Sequence, residues 1–493
     1  MASPRYPALY QVNTRVWLTE LSRTLGRSVG LTEIPDAELD RLAEYGFDWV
    51  WLLSVWQTGL QGQRISRTNP QWRHEFEQTL PDLTDADIAG SGFAIARYRV
   101  HSELGGDNAL AALRKRLRAR GMKLMLDFVP NHTAIDHHWV DEHPDYYLAA
   151  TEPDWIRSPK NYTRVPSGNG TRLMAHGRDP YFDGWPDTLQ LDYSNPATQE
   201  AMTTELMRIA EQCDGLRCDM AMLLVPSVFE RTWGRKTPSF WPTAIARLRA
   251  EHPAFCMMAE VYWNMEWELQ QQGFDYTYDK GLYDRLRERQ PGTIRKHLQA
   301  EIAYQDKLVR FLENHDEPRA ATTFPGPVHF AAAAITYLAP GLRFFHQGQL
   351  EGYLHRISPH LGRGPHESGN DEIRRFYQRL LALLRQPIFR DGAWQLLNCD
   401  PGWSGNDSHE HFVVFGWRGL DADLIIVQVN LSDQPSQCHV RLPYPELDGR
   451  RWRLHDALRE VGYDWRGDDL RGCGLFLDAT PWQVAVYSLQ QHT

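Results

Sequence analysis

Several short apolar runs in this sequence end in charged side chains. One run ends with Arg217 and Asp219, a second ends with Glu260, and a third ends with His315 and Asp316. Three carboxylates, a histidine and an arginine around one cavity are costly to remove from water unless they carry out chemistry. Whether these residues form one site therefore depends on whether the fold brings the ends of these runs together.

The elements that carry these residues alternate between strand-like and helix-like patterns over about the first 390 residues. The candidate strands cover residues 9–17, 47–55, 123–129, 215–221, 255–263, 274–279, 308–316 and 341–348. Eight strands with intervening helices predict an α/β fold, a parallel (β/α)8 barrel of the TIM type, whereas an open doubly wound sheet would not need eight such units. In a parallel barrel the carboxyl ends of the strands meet at one mouth, where active sites form.

The third candidate strand brings further polar groups to that mouth. It ends in the motif "DFVPNH", which supplies Asp127, Asn131 and His132. An aspartate at this point more often supports the end of its strand than touches a ligand, so Asp127 is predicted to be structural. Four strands together predict one cavity lined by polar side chains.

The domain organisation is indicated by two breaks in the alternation of strand and helix patterns and by one change to a pattern of short strands. Residues 132–195 lack a helical period over about 60 residues and are predicted to form a small inserted subdomain after the third strand. An insertion rich in arginine, glutamine and aromatic residues follows the second strand. From residue 389 onward, short β-type runs are separated by Pro, Gly and Asp, which is typical of an antiparallel β-sandwich. The predicted domains are 1–388 for the barrel and 389–493 for the C-terminal sandwich.

Four motifs occur in order at the ends of these strands. They are "DFVPNH", "GLRCD", the glutamate of "MMAEVYW" and "ENHD". In this order they resemble the four signature regions of the α-amylase family of glycoside hydrolases, glycoside hydrolase family 13, and the resemblance extends over essentially the whole chain. It implies a retaining hydrolase of α-glucosidic bonds that works by double displacement through a covalent glycosyl-enzyme. Such enzymes use two carboxyl groups about 5–5.5 Å apart.

The resemblance also implies a part for each carboxylate. Asp219 would be the nucleophile, and Glu260 would protonate the leaving oxygen and then activate water. Asp316 would hold sugar hydroxyls and favour the distorted, oxocarbenium-like ring. Arg217, two residues before Asp219 on the same strand face, would keep that carboxylate ionised and oriented.

Further residues are predicted to bind the substrate. His132 and His315 would donate hydrogen bonds to the hydroxyls of the same sugar. Phe93 occupies the place of a family tyrosine that stacks on the reacting sugar, with Tyr98 as a nearby alternative. Trp263 is predicted to stack on the leaving group.

The sequence departs from the family at two places. The starch-degrading members follow the nucleophile with a Lys-His pair, whereas "MAMLLV" follows Asp219 here, which puts long-chain starch cleavage in doubt. The familiar calcium site would use Asn131 with an aspartate of the subdomain, and Gln190 stands where that aspartate is common. Calcium is possible but is not predicted, no cofactor is required, and no metal site is assigned.

Two alternatives to hydrolysis remain open. A transglycosidase, a glucosyl- or glucanotransferase, would use the same carboxylates and replace water by an acceptor sugar, with Trp51–Trp72 and Tyr262–Trp267 as candidate acceptor segments. A remoter alternative is a non-catalytic amylase-like binding subunit. Such subunits usually lose the carboxylates and often carry a membrane anchor, whereas all three carboxylates are present here.

Composition and charge restrict the classes of partner that the protein is expected to bind. The formal net charge is −10 and the isoelectric point is about 6.1, which disfavours nucleic acid or an anionic membrane as a partner. The N-terminal stretch lacks the apolar run of a signal peptide, no run reaches the length of a membrane span, and six scattered cysteines show no metal-ligand spacing. These features predict a cytoplasmic protein that binds a small carbohydrate, and they indicate no oligomeric state.

We expect short oligosaccharides or disaccharides to be preferred to starch. The missing Lys-His pair and the bulky insertion after the second strand predict a pocket-like mouth, which buries a short ligand well and obstructs a long glucan. The measurement is kcat/KM on maltotriose and on soluble starch. Comparable values on the two substrates would indicate an open cleft instead.

Overall fold

The computed structural model describes residues 4–167, 170–420 and 423–491. Eight parallel strands form its central sheet: β1 (Ala8–Asn13), β2 (Trp49–Leu53), β3 (Lys123–Phe128), β4 (Gly215–Cys218), β5 (Cys256–Ala259), β6 (Tyr276–Tyr278), β7 (Leu308–Arg310) and β8 (Leu342–His346). The sheet closes into a barrel in the order β1-β8-β7-β6-β5-β4-β3-β2. The predicted (β/α)8 barrel is confirmed, and each barrel strand overlaps one predicted strand.

The barrel strands end earlier than the apolar runs suggested. The run predicted as the first strand continues to residue 17, but β1 ends at Asn13, and its side chain accepts a hydrogen bond from the Val16 N–H at the start of helix Thr14–Leu25. Val16 and Trp17 are buried on that helix. An apolar run shared by a strand and the first turn of a helix cannot be divided by periodicity alone.

The longer helices alternate with the barrel strands. They span Thr14–Leu25, Asp36–Glu44, Gly106–Arg118, Pro196–Ala210, Trp241–Glu251, Lys280–Glu288, Pro291–Leu298, Pro327–Leu338 and Asp371–Leu384. Helix Pro226–Trp233 is as long as Pro291–Leu298, and shorter helices span Glu266–Gln271, Ile302–Gln305, Ala320–Thr323 and Pro387–Asp391. Helix Gly106–Arg118 illustrates their pattern, because Leu110, Leu113 and Leu117 form one buried stripe and Lys115 lies exposed opposite it. Within the described residues, none of the helices is both long enough and apolar enough to span a membrane.

Two insertions interrupt the alternation. The first, after β2, contains the strands Trp56–Thr58 and Ile95–Val100 and the helices Leu60–Thr68 and Pro70–Thr79. The second, after β3, contains the helices Trp139–Glu142 and Glu152–Arg157 and two strand pairs, His132–Ala134 with Thr188–Gln190 and Tyr162–Ser167 with Gly170–Ala175. The predicted limits 132–195 enclose all of this second set, and the domain limits themselves stay a prediction.

The C-terminal part consists of antiparallel strands. They are β9 (Ala393–Leu396), β10 (Cys399–Pro401), β11 (Phe412–Arg418), β12 (Leu424–Asn430), β13 (Ser436–Val440), β14 (Arg451–Asp456), β15 (Val461–Arg466), β16 (Leu475–Ala479) and β17 (Val484–Gln491), with helix Gly467–Gly472 between β15 and β16. A six-stranded sheet has the order β9-β11-β12-β17-β14-β15, and a three-stranded sheet has the order β10-β13-β16. Val414 and Ile426 of the first sheet share a buried core with Val440 and Leu475 of the second. The predicted antiparallel sandwich is confirmed.

The chain divides into two compact units. One comprises Met1–Leu9, Asp279–Leu354 and Glu367–Thr493, and the other comprises Tyr10–Tyr278 and His355–His366. The first unit holds β7, β8 and the C-terminal sheets. The second unit holds β2 to β6 and both insertions.

The first unit contains a buried ion pair, whose acidic member is Asp279, the residue directly after β6. Asp279 accepts hydrogen bonds from Arg310 of β7, from His297 at 2.9 Å and from the N–H of Leu282, which it caps at the start of helix Lys280–Glu288. Burial alone would raise the pKa of Asp279, but the charges of His297 and Arg310 outweigh it and hold the pKa well below its usual range. The pair therefore ties β7 to the helix that follows β6.

We expect Arg310→Met to lower the free energy of unfolding by about 3–5 kcal/mol, because it leaves the buried Asp279 carboxylate without its guanidinium partner. Urea denaturation followed by circular dichroism measures this loss. Arg287→Gln is the matched control, since Arg287 is about half exposed and lies 3.9 Å from Asp284, so a change within about 0.5 kcal/mol is expected. Equal effects of the two substitutions would contradict this account of the pair.

Candidate active site

The centre of the site is a buried arginine on β4. Arg217 is 1% exposed, and its Nη1 lies 2.6 Å from Asp219 Oδ1 while its Nη2 lies 2.7 Å from Glu260 Oε2. Arg217 and Asp219 share a face because successive side chains of a strand alternate. Two carboxylates that are 41 positions apart are thus held by one guanidinium. The sequence predicts the contact of Arg217 with Asp219 but not its contact with Glu260.

The charge on this arginine is kept by its neighbours. Burial alone would lower the pKa of Arg217, but Glu260, Tyr278, Asp219 and Asp127 outweigh it, so the pKa lies above its ordinary value. Asp127 Oδ1 is 3.8 Å from Nη1. One cation therefore offsets several acidic groups that are buried with it.

Aromatic rings surround the same guanidinium. Its central carbon lies 5.4 Å from the ring centre of Trp51, 5.2 Å from that of Phe93 and 6.0 Å from that of Tyr278. Such contacts favour a cation over a neutral group in a desolvated place. The predicted ring Phe93 is thereby brought to the cluster.

Glu260 is held from three directions. Its Oε2 accepts a hydrogen bond from the Met220 N–H at 2.7 Å in addition to its contact with Arg217. Its Oε1 accepts a hydrogen bond from the Tyr262 hydroxyl at 2.9 Å. The backbone N–H of Glu260 donates to the carbonyl of Cys218, which continues the β4–β5 ladder past the last residue of β5. The carboxylate is therefore fixed in position relative to β4.

The backbone beside both carboxylates adopts an uncommon conformation. Met220, Trp263 and Asn264 have φ angles of 43°, 63° and 58°, in the left-handed region that non-glycine residues rarely adopt. Residues held in this way cost on the order of 1–3 kcal/mol each and cluster at functional sites. At Met220 this conformation accompanies the N–H that donates to Glu260.

Asp127 supports the end of its strand, as predicted. Its Oδ2 accepts a hydrogen bond from the Ser54 N–H at 3.3 Å, and its carbonyl accepts one from the Trp56 indole at 2.7 Å. The segment that carries Phe93 also passes close to Ser54, because a Cβ added at Gly92 would lie 1.8 Å from Ser54 Oγ. Glycine is therefore needed where the chain passes Ser54.

His132 is buried and uncharged. Its ring centre lies 5.0 Å from that of Trp185, and its Nδ1 is 3.4 Å from Asn131 Nδ2. Burial lowers the pKa of His132 to about 3. A neutral imidazole can still donate one hydrogen bond to a sugar hydroxyl.

Tyr98 is not brought to the cluster. It is 4% exposed, and its hydroxyl donates to the carbonyl of Val129 and accepts from the N–H of the same residue. Its ring packs against Trp56 and Phe128. This geometry gives Tyr98 a structural part and favours Phe93 between the two alternatives, and a contact of Tyr98 with sugar stays a prediction.

Trp263 belongs to an aromatic group near Glu260. Its ring centre lies 5.1 Å from that of Tyr181 in the second insertion, in an edge-to-face arrangement. The Arg231 guanidinium lies 5.4 Å from the Tyr181 ring and 5.6 Å from the Trp263 ring. Tyr181 is 59% exposed, so the group presents an aromatic face to solvent.

His315 and Asp316 follow β7 in the other unit. His315 Nε2 lies 3.0 Å from Asp316 Oδ2, with the histidine buried and the aspartate 45% exposed. Asn314 Oδ1 accepts the N–H groups of Asp316 and Glu317. The loop after β7 is thus a turn that presents one accessible carboxylate next to a buried imidazole.

The residues of the family's calcium site do not fit a calcium ion. Gln190 Nε2 donates to both the carbonyl and the Oδ1 of Asn131, and Asn131 Nδ2 donates back to Gln190 Oε1 at 3.2 Å. An amide N–H therefore occupies the place of a carboxylate oxygen, which calcium would need. Within the described residues no group of three or more His, Cys, Asp or Glu side chains could hold a metal.

Sequence reasoning missed three contributors. Trp51 and Tyr262 are predicted only as parts of the two acceptor segments, whereas the Trp51 ring lies against Arg217 and the Tyr262 hydroxyl donates to Glu260. Tyr262 could have been found from the two-residue period that places it on the same side as Glu260. The left-handed Met220 has no sequence signal, because methionine does not favour this conformation.

Comparison with known proteins agrees with this fold. A family model described as "Alpha amylase, catalytic domain" matches residues 22–378. Alpha-amylase 3 of Dictyoglomus thermophilum is 24% identical over 279 residues, which cover 51% of this chain and 52% of that protein. Trehalose synthase/amylase TreS of Mycobacterium tuberculosis is 30% identical over 174 residues, which cover 31% of this chain and 26% of that protein. The chain spans about half or less of the length of these curated relatives.

Solved structures are similar over the whole chain. The noncanonic maltogenic alpha-amylase AmyB of Thermotoga neapolitana has a TM-score of 0.70 at 19% identity, with 98% of both chains covered. The alpha-amylase of Geobacillus thermoleovorans complexed with acarbose has a TM-score of 0.68 at 18% identity, with 100% of both covered. Likenesses at this identity show the fold alone, which is a closed parallel barrel followed by antiparallel sheets. Because the family model matches more than half of the chain, the protein belongs to the α-amylase family, glycoside hydrolase family 13.

The neutral state of His132 leads to a prediction for pH. Unfolded histidine takes up a proton near pH 6.5, whereas folded His132 takes one up only near pH 3, so the stability it contributes is complete above pH 6.5 and is lost as pH falls. We expect His132→Asn to reduce the slope of unfolding free energy against pH near pH 5 by about 1.4 kcal/mol per pH unit. Urea denaturation at several pH values measures the slope. The exposed His74→Asn is the control, and equal slopes in the two variants would show that His132 takes up its proton in the folded state.

Proposed function

We propose that this protein is a retaining α-glycoside hydrolase that cleaves α-glucosidic bonds of short saccharides by double displacement. The observation that carries the proposal is the pair of carboxylates on Arg217. Asp219 and Glu260 each lie within 2.7 Å of a different nitrogen of that guanidinium. Retaining glycosidases need two carboxyl groups about 5–5.5 Å apart, and a shared guanidinium keeps these two carboxylates close to each other.

In the first step Asp219 attacks the anomeric carbon of the sugar. A bond forms between its carboxylate oxygen and that carbon, while the glycosidic C–O bond breaks. Glu260 enters this step as the carboxylic acid, gives its proton to the departing oxygen and becomes the carboxylate that Arg217 and the Met220 N–H hold. Arg217 keeps Asp219 ionised and aims it, because the guanidinium favours the charged form.

In the second step Glu260 takes a proton from water, and the water oxygen attacks the anomeric carbon. The ester bond to Asp219 breaks and regenerates its carboxylate. Two displacements return the α configuration. Tyr262 and the Met220 N–H position Glu260 for both transfers, since they bind its two oxygens.

Other residues are assigned to the sugar itself. Phe93 would offer a ring face, and neutral His132 would donate to a hydroxyl. Asp316 and His315 enter the proposal through the "ENHD" motif of the family rather than through a measured distance to Asp219. Calcium enters no step, and a cytoplasmic location and a small carbohydrate partner stay predictions from the sequence.

Transfer to an acceptor sugar is the second candidate function. The aromatic group of Trp263, Tyr181 and Arg231 favours it, because exposed aromatic faces bind sugar rings. Within this group, Trp263 follows the proposed proton donor by three residues. Relatives of this chain are named for both chemistries, including a trehalose synthase/amylase and an alpha-1,4-glucan:maltose-1-phosphate maltosyltransferase. Product analysis of maltotriose digests with and without added maltose distinguishes them, since only transfer lengthens the acceptor.

We expect Asp219→Ala and Glu260→Gln each to reduce kcat on an activated aryl α-glucoside by about 10⁴-fold or more, which corresponds to about 5.5 kcal/mol or more of lost transition-state stabilisation. Added azide should restore cleavage by Asp219→Ala and give a β-glucosyl azide, because it replaces the missing nucleophile in one inversion. Asp183→Asn, on the surface of the second insertion, is the control and should keep full activity.

Full activity of either folded variant would overturn the assignment of the carboxylates. An α-configured azide product would contradict attack from the side of Asp219. An unmodified protein with no turnover on any α-glucoside, but with saccharide binding, would indicate the binding subunit instead.

A further inference from the structure

A cavity of about 430 Å³ lies in the unit that holds Asp219 and Glu260. Its walls come from helix Thr14–Leu25, the start of helix Leu60–Thr68, the turn at 101–104 and residues 362–363. Among the described residues, those that line it include none of the groups around Arg217. The cavity is therefore distinct from the site proposed for catalysis, and its volume falls in the range of small-molecule sites.

One lining residue carries a charge without a matching partner. Arg15 donates from Nη1 to the Gly90 carbonyl at 2.7 Å and from Nη2 to Thr58 Oγ1 at 3.2 Å. A guanidinium has five N–H donors, so donors remain. In the part of the chain that the structure describes, no carboxylate lies within ion-pair distance of Arg15.

The position of Arg15 makes this charge more costly. It is the second residue of helix Thr14–Leu25, whose first turn contains no acidic residue. The N-terminus of a helix carries a partial positive charge, which disfavours a cation there and favours an anion. Burial lowers the pKa of Arg15 to about 10, and the carboxylate that opposes this, Glu103, is 86% exposed at its side chain.

The second arginine on the wall is already neutralised. Arg363 Nε lies 2.5 Å from Asp87 Oδ1, and its Nη2 lies 2.9 Å from Asp82 Oδ1. Arg15 is thus the group that can accept an incoming negative charge. His101 accepts the Glu103 N–H at its Nδ1, so the neutral ring carries its proton on Nε2 and adds a donor for a hydroxyl.

We propose that this cavity binds a small, sugar-sized ligand that bears an oxyanion, a carboxylate or a phosphate, which pairs with Arg15. The planar guanidinium fork matches both oxyanions and can bind either with two hydrogen bonds. The polar lining, which includes Ser28, Gln63 and His101, suits the hydroxyls of the rest of the ligand. A neutral sugar would leave the charge of Arg15 unmatched.

Isothermal titration calorimetry on the full chain tests the proposal with four probes: glucose 6-phosphate, glucuronate, inorganic phosphate and glucose. We expect at least one of the first two to bind at least 10-fold more tightly than glucose, and the better of them identifies the oxyanion. Binding of inorganic phosphate alone would identify free phosphate as the source. Arg15→Met should weaken the binding at least 10-fold, whereas Arg27→Met, an exposed arginine after the same helix, should leave it unchanged.

A second variant keeps the test valid if Arg15→Met fails to fold. Ser28→Trp retains Arg15 but fills the cavity from its exposed rim, and it should also abolish binding. The proposal is overturned if no oxyanion probe binds the unmodified protein, if glucose binds as tightly as the charged sugars, or if the folded variants bind like the unmodified protein. The last result would locate the binding elsewhere in the chain.

Discussion

A single buried positive charge, on Arg217, holds the two carboxylates of the proposed site together. The pairing of neighbouring strands puts it there, because Arg217 lies in register with Asp127 of β3 and with Met258 of β5. A desolvated guanidinium is tolerated only with carboxylates close to it, and those carboxylates are tolerated only with the guanidinium. The geometry of the proposed catalytic pair and the stability of the fold are therefore coupled at this point, since a change to one charge leaves another unpaired.

The sequence predicted the parts of this arrangement that depend on periodicity and order. Apolar runs located all eight barrel strands, and the alternation of side chains placed Arg217 and Asp219 on one face. What it did not predict depends on local backbone conformation. The division of the first run at Asn13 rests on a helix cap, and the aim of the Met220 N–H rests on a left-handed residue. Neither follows from hydrophobic pattern.

The chain keeps the family's charged residues while its supporting contacts differ. An amide pair, Asn131 with Gln190, fastens the end of β3 to the second insertion where the family pattern suggested a cation site. Two neutral amides exchanging hydrogen bonds need no bound ion and no charge balance. Solved structures near 20% identity share this fold, because a fold constrains volume and hydrogen bonding more than residue type.

The left-handed backbone at Met220 limits how this protein can evolve toward heat resistance. Glycine would adopt the conformation at lower strain, but it would also enlarge the unfolded ensemble and loosen the segment beside Asp219. Branched side chains are excluded there by sterics. Stabilising substitutions are therefore better placed away from β4, for example in the C-terminal sheets, because the strained residue Met220 also supplies the N–H that donates to Glu260.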